Sequence, residues 1–153
     1  MRPVRQPLLA AGLATLATAA TLGLAPGAAR AAAPAPRISV NWFGTADVRA
    51  HTATIGGRYA CGAERGLAYI EVHLGQRVRR ESVTGFGFGV IGACTDDRTA
   101  GTWTATIPAD SGAFRGGPAT ATARLVVEPN SLTETTEPLR LIPRCPGADG
   151  QAI

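Results

Sequence analysis

From residue 38 to residue 141 the chain alternates apolar and polar side chains with a period of two. Ile38, Val40 and Trp42 are separated by Ser39 and Asn41. Ala53, Ile55, Gly57 and Tyr59 alternate with Thr52, Thr54 and Arg58, and Ala68, Ile70, Val72 and Leu74 with Tyr69, Glu71 and His73. Trp103, Ala105 and Ile107 alternate with threonines, Ala119 to Val127 repeats the pattern, and Leu139 and Leu141 flank Arg140. Period two is the signature of half-buried strands, apolar side inward. Turn residues separate the runs: Gly56-Gly57, Cys61-Gly62, Asp96-Asp97, Pro108 to Gly112, Gly116-Gly117-Pro118, Pro129-Asn130-Ser131 and Pro143. No stretch after the N-terminal segment keeps the i, i+3, i+4 spacing of a helix. Counting the glycine-rich run described next, the pattern predicts about seven antiparallel strands packed as an immunoglobulin-like β-sandwich over 38–143.

That run is GFGFGVIG, residues 85–92, which contains Gly87, Gly89 and Gly92 in the spacing G-x-G-x-x-G. A dinucleotide site needs a helix to start inside that motif, so that free N–H groups meet the pyrophosphate. Here Gly92 leads into Ala-Cys-Thr-Asp-Asp-Arg, a turn, and no strand–helix–strand unit surrounds it. The motif is instead a strand with Phe86, Phe88 and Val90 on one face and bare glycines on the other. Glycines in a strand mark a bulge or a close approach of something to the backbone. Trp103 or Tyr59 of a facing sheet would serve. The alternative is a ligand cleft formed by Phe86, Phe88 and Trp103, which would make the protein a small-molecule carrier.

The first residues carry a different signal. Arg2 and Arg5 precede an apolar run from Leu8 to Ala25, and Ala29-Arg30-Ala31 supplies a small-x-small cleavage site. This order predicts a secretory signal peptide over 1–31, followed by a Pro/Ala leader at 32–37 and a disordered tail at 144–153. The protein is therefore expected to be secreted, with no membrane association after cleavage. Export also changes the charge. The full chain has 15 basic and 11 acidic residues, net +4, and every basic residue is arginine. Loss of Arg2, Arg5 and Arg30 with the signal would leave a net charge of +1. That removes the electrostatic case for a nucleic-acid partner.

Three cysteines in an exported chain predict one disulfide, Cys61 to Cys94, each at the end of a strand. The third, Cys145, lies in the tail and would allow a disulfide-linked dimer. Catalytic chemistry finds little support. Neither His51 nor His73 stands in a zinc spacing, the acids form no calcium loop, and no G-x-S-x-G elbow occurs. No metal and no cofactor are expected. An acid pair assembled in space from Glu64, Glu71, Glu81 and Glu128 is the one hydrolase arrangement that a sequence leaves open. Arg77, Arg79 and Arg80, in QRVRRE, are the densest basic cluster. They either guard a strand edge against aggregation or contact an anionic polymer.

The stretch Ile38 to Ile142 resembles the small exported immunoglobulin-like domains of unknown function from actinomycete bacteria. The likeness rests on GGRYAC at 56–61, on Cys94 followed by a polar turn and Trp103-Thr104-Ala105-Thr106, and on Gly116-Gly117-Pro118-Ala119 opening an A-x-A-x-A strand. A more distant likeness is to the enediyne-carrying apoproteins, also exported sandwiches. The first resemblance implies fold and compartment. Together these features predict an exported, non-enzymatic binding module whose partner is a protein, a cell-surface polymer or a small molecule.

Overall fold

A computed structural model describes residues 33–129 and 131–144. The expected signal peptide, Cys145 and the tail beyond Arg144 lie outside the described residues. The described chain forms eight strands and no helix: β1 Arg37–Val40, β2 Phe43–Asp47, β3 Thr52–Ala60, β4 Gly66–Val78, β5 Glu81–Cys94, β6 Ala100–Pro108, β7 Gly117–Val127 and β8 Ser131–Pro143. Two layers result. One has the order β1-β3-β6, and the other β8-β7-β4-β5. This is the immunoglobulin-like sandwich, with β5 extending the second sheet as in the variable-type arrangement.

The eighth strand comes from a break in the first run. Val40 is buried, but Trp42 points outward and is 82% exposed. Between β1 and β2 the chain steps across, held by Asn41 N–H donating to Gly56 O and Arg140 N–H donating to Trp42 O. Alternation then restarts with Gly44 and Ala46 inward. β1 lies along one end of β3, while β2 pairs with the other end of β3 and with β8. The β2–β8 pair is parallel, within a sandwich whose other strand pairs among the described residues are antiparallel as expected. β2 thereby links the two layers through continuous ladders.

Opposite that link, β5 and β6 face each other with only an isolated bridge, Gly85 to Ala109, between them. Here the glycine run finds its cause. Gly85, Gly87 and Gly89 all point inward, and β6 fills the space their missing side chains leave. A Cβ on Gly87 would sit 2.9 Å from Thr106 O, and one on Gly89 would sit 3.4 Å from the Trp103 ring. Gly92, the last glycine of the motif, has φ +88° and lies at a β-bulge. Tyr69 pairs with Val90 and Ala68 with Gly92, so Ile91 is the extra residue. One extra residue reverses the inside–outside alternation. That reversal turns Cys94 inward, where it bonds Cys61 with an S–S distance of 2.03 Å. The bridge joins the ends of β3 and β5, which belong to different layers.

The core between the layers is built from Ile55, Ile70, Val72, Leu74, Ile107, Leu125, Leu141, Trp103 and Phe114. Alanine fills seven further core positions: 46, 53, 68, 105, 119, 121 and 123. Gly56 and Gly57 do not separate strands as their turn character predicts. They sit within β3, where a Cβ on Gly57 would strike the Ser39 carbonyl and lie 2.8 Å from the Trp103 indole nitrogen. That nitrogen donates to Ser39 O at 3.2 Å.

Candidate functional site

Four strands offer their outward side chains on one face of the β8-β7-β4-β5 sheet. The registers set these side chains in rows. One row runs Leu132, Val126, Tyr69, Val90; the next Glu134, Arg124, Glu71, Phe88; the third Thr136, Thr122, His73, Phe86. The β5 end of this array is aromatic. The Phe86 and Phe88 rings stand edge-on with centroids 4.7 Å apart. Tyr69 meets Phe88 at 6.4 Å, and His73 meets Phe86 at 4.7 Å. Phe88 is 54% exposed and Val90 86% exposed.

These side chains face water because the opposite face of β5 cannot hold them. Over residues 85–90 β6 packs against the inward glycines, so the bulky residues of that stretch lie on the outer side. Trp103 lies inside, 3% exposed, between Gly57 and Gly89. Phe86 and Phe88 are thus separated from Trp103 by the sheet itself, and the three do not form one cleft. The space that the sequence leaves open for a ligand beside the glycines is occupied by the protein's own strand.

In the middle of the face, Arg124 bridges two carboxylates. Its Nη2 donates to Glu134 Oε2 at 2.8 Å and its Nη1 to Glu71 Oε2 at 3.5 Å. The hydrogen bond that Arg124 donates to Glu134, then the charge of that carboxylate, raise the Arg124 pKa above its ordinary value. Of the acids considered for a hydrolytic pair, Glu71 alone enters this cluster, and it is held by an arginine on an open sheet. Glu64, Glu81 and Glu128 lie in or beside three different turns. Among the described residues no three His, Cys, Asp or Glu side chains gather closely enough to ligate a metal.

His51 lies far along the chain from the aromatic face, in the β2–β3 turn, with its Nδ1 2.7 Å from Gly112 O. The contact ties that turn to the segment between β6 and β7. The same segment is anchored by Phe114, fully buried, and by the buried Gln76. Gln76 Nε2 donates to Arg115 O at 2.7 Å and its Oε1 accepts from Arg115 N–H at 2.8 Å. Arg79 and Arg80 form the two-residue turn between β4 and β5, and Arg77 is exposed at the end of β4. A hollow of about 400 Å³ lies between this turn and the β6–β7 segment. Sequence inspection places Arg77, Arg79 and Arg80 together but omits Arg115, which is 35 residues on and reaches the hollow only through the fold.

A second apolar site lies at the β1–β2 step, where Trp42 and the 62% exposed Phe43 stand out beside Glu137. The alternation of the first run assigns Trp42 to the core, so this site has no signal in the sequence.

No protein-family model matches the sequence, and neither does any curated protein. Among solved structures, murine CRIg is similar, with a TM-score of 0.37 and 11% sequence identity over 72% of this chain and 98% of that one.

Proposed function

We propose that this protein is an exported, non-enzymatic interaction module that binds a protein partner through the outer face of its β8-β7-β4-β5 sheet. The observation that carries this proposal is the aromatic group on the outer sheet face, with Phe88, Val90 and His73 exposed and Tyr69 and Phe86 half-buried beside them. Soluble domains rarely leave contiguous large apolar side chains in water, and such patches are where partners dock. Aromatic anchors next to an arginine are the composition of binding hot spots. The Arg124 bridge holds the neighbouring charges in fixed positions, which favours specificity over bulk affinity. The carrier alternative is weaker, since β6 fills the glycine face of β5. An intramolecular disulfide in an immunoglobulin-like domain supports export.

Affinity capture from the organism's own extracellular fraction tests the proposal, comparing the native protein with Phe88→Ser/Val90→Ser. Both side chains are exposed, so the variant's unfolding free energy from urea denaturation is expected to lie within about 0.5 kcal/mol of the native protein's. The native protein should retain a partner that the variant releases, with hydrogen-exchange protection falling on β4 and β5. A partner retained equally by both proteins would rule this face out. A non-protein mass adduct in native mass spectrometry, unaffected by the two substitutions, would favour a carrier.

A further inference from the structure

The hollow between the β4–β5 turn and the β6–β7 segment is lined by Arg79, Arg80 and Arg115, with Glu81 as the acid beside them. Its remaining walls are Val78, Val83, Gly112 and Ala113. The guanidinium groups of Arg77, Arg79, Arg80 and Arg115 take no ion pair or side-chain hydrogen bond among the described residues. Arg65 pairs with Asp96 at 2.7 Å and Arg124 with two glutamates, while Arg37, Arg58, Arg98 and Arg140 also stand without an ion pair among the described residues, so the hollow is set apart by the grouping of its arginines around one concave place. Concentrating unpaired positive charge at one concave place raises the local concentration of anions.

Two further features show that this place is held in shape. Gln76 is the only polar side chain in the buried core among the described residues. Both ends of its amide are used to grip the backbone of Arg115. Arg79 sits at φ +57°, a left-handed conformation that costs a non-glycine residue about 1–2 kcal/mol. Glycine is the ordinary occupant of such a turn position. An arginine kept there despite that cost suits a role for its side chain rather than for the turn.

We infer that this hollow is an anion-binding site for an acidic polysaccharide, with the guanidinium groups of Arg79, Arg80 and Arg115 holding a carboxylate or phosphate group and the aliphatic wall packing on the sugar ring. Arginine's planar donor fork matches either oxyanion. The volume, about 400 Å³, is that of a small-molecule site and accommodates a single sugar unit. The wall carries no aromatic ring, so it offers no platform for stacking bases and disfavours single-stranded nucleic acid. The site uses none of the residues of the aromatic face, and the two proposals stand or fall separately.

Affinity electrophoresis of the purified protein at low ionic strength tests it, through gels containing polygalacturonate, dextran phosphate, neutral dextran or oligo-dT. Retardation is expected in one or both acidic glycopolymers and is expected to fade at high salt. The preferred polymer identifies the oxyanion. Arg80→Gln/Arg115→Gln, both exposed, should weaken binding by about tenfold or more with an unchanged unfolding midpoint. Glu81→Gln should strengthen it, an effect that damage to the fold does not mimic. No retardation in either acidic polymer, equal retardation in dextran or oligo-dT, or an unchanged affinity in the double arginine variant would each overturn the inference.

Discussion

Asp47 shows how one side chain sets a turn. It ends β2, and its Oδ1 accepts from the N–H groups of Arg49 and Ala50, each at 3.0 Å. These bonds favour the carboxylate, the one from Ala50 most, and hold the Asp47 pKa below its ordinary value. A lowered folded-state pKa means that the stabilisation is complete above the unfolded value, about 3.9 for aspartate. It is lost as pH falls through the lower folded-state value. A stability–pH series by urea denaturation should therefore show a component lost below about pH 4 that is missing in Asp47→Asn. A flat difference between the two proteins across that range would show that the turn does not depend on the charge. The group is on the surface, so salt will reduce the effect.

At the scale of the element, two glycines on paired strands are expected to respond in opposite directions. Gly85 of β5 has the Pro108 carbonyl and Ile107 against the place a Cβ would take, whereas Gly75 of β4 has nothing within 4 Å. Gly85→Ala is expected to cost about 1–3 kcal/mol by overpacking. Gly75→Ala should be neutral or stabilise by up to about 1 kcal/mol, because alanine loses less chain entropy. Urea midpoints of the two variants measure both, and equal effects would deny that β6 presses on β5. The outward Phe86, Phe88 and Val90 were legible from alternation alone, and so was the need for something close to the glycines. Its identity was not, since nothing in residues 85–92 names β6. The first part of β8 was missed for a different reason. Its half-buried positions are Thr133, Thr135 and Glu137, so the strand shows no apolar rhythm until Leu139. Trp42 misled because period two assumes an unbroken strand, and the chain changes partners at that point.

For the whole molecule, a core with seven alanines buries less apolar surface than a Leu- or Ile-filled one, and the cross-link matters more. Cys61 and Cys94 are separated by 33 residues. Closing a loop of that length removes unfolded-state entropy worth about 3–4 kcal/mol. Cys61→Ala/Cys94→Ala should lose about that amount in urea unfolding while keeping its strand circular-dichroism signal; a loss under about 1 kcal/mol would mean the core stands without it. The cysteine pairing was visible in the sequence as two cysteines at strand ends. The bulge that aims Cys94 inward was visible only as Gly92, whose role depends on the register of the partner strand.

The parallel pairing of β2 with β8 has a mechanical consequence. The N-terminal end of the described chain leads through β1 into β2, and β8 is its last strand. Tension applied between the two ends would draw β2 and β8 in opposite directions along their length. The ladder from Phe43–Arg140 to Ala46–Pro143 would then be loaded in shear, its rungs resisting together rather than opening one after another as in an unzipping hairpin. A domain closed in this way resists being stretched between its ends far better than being peeled from one of them.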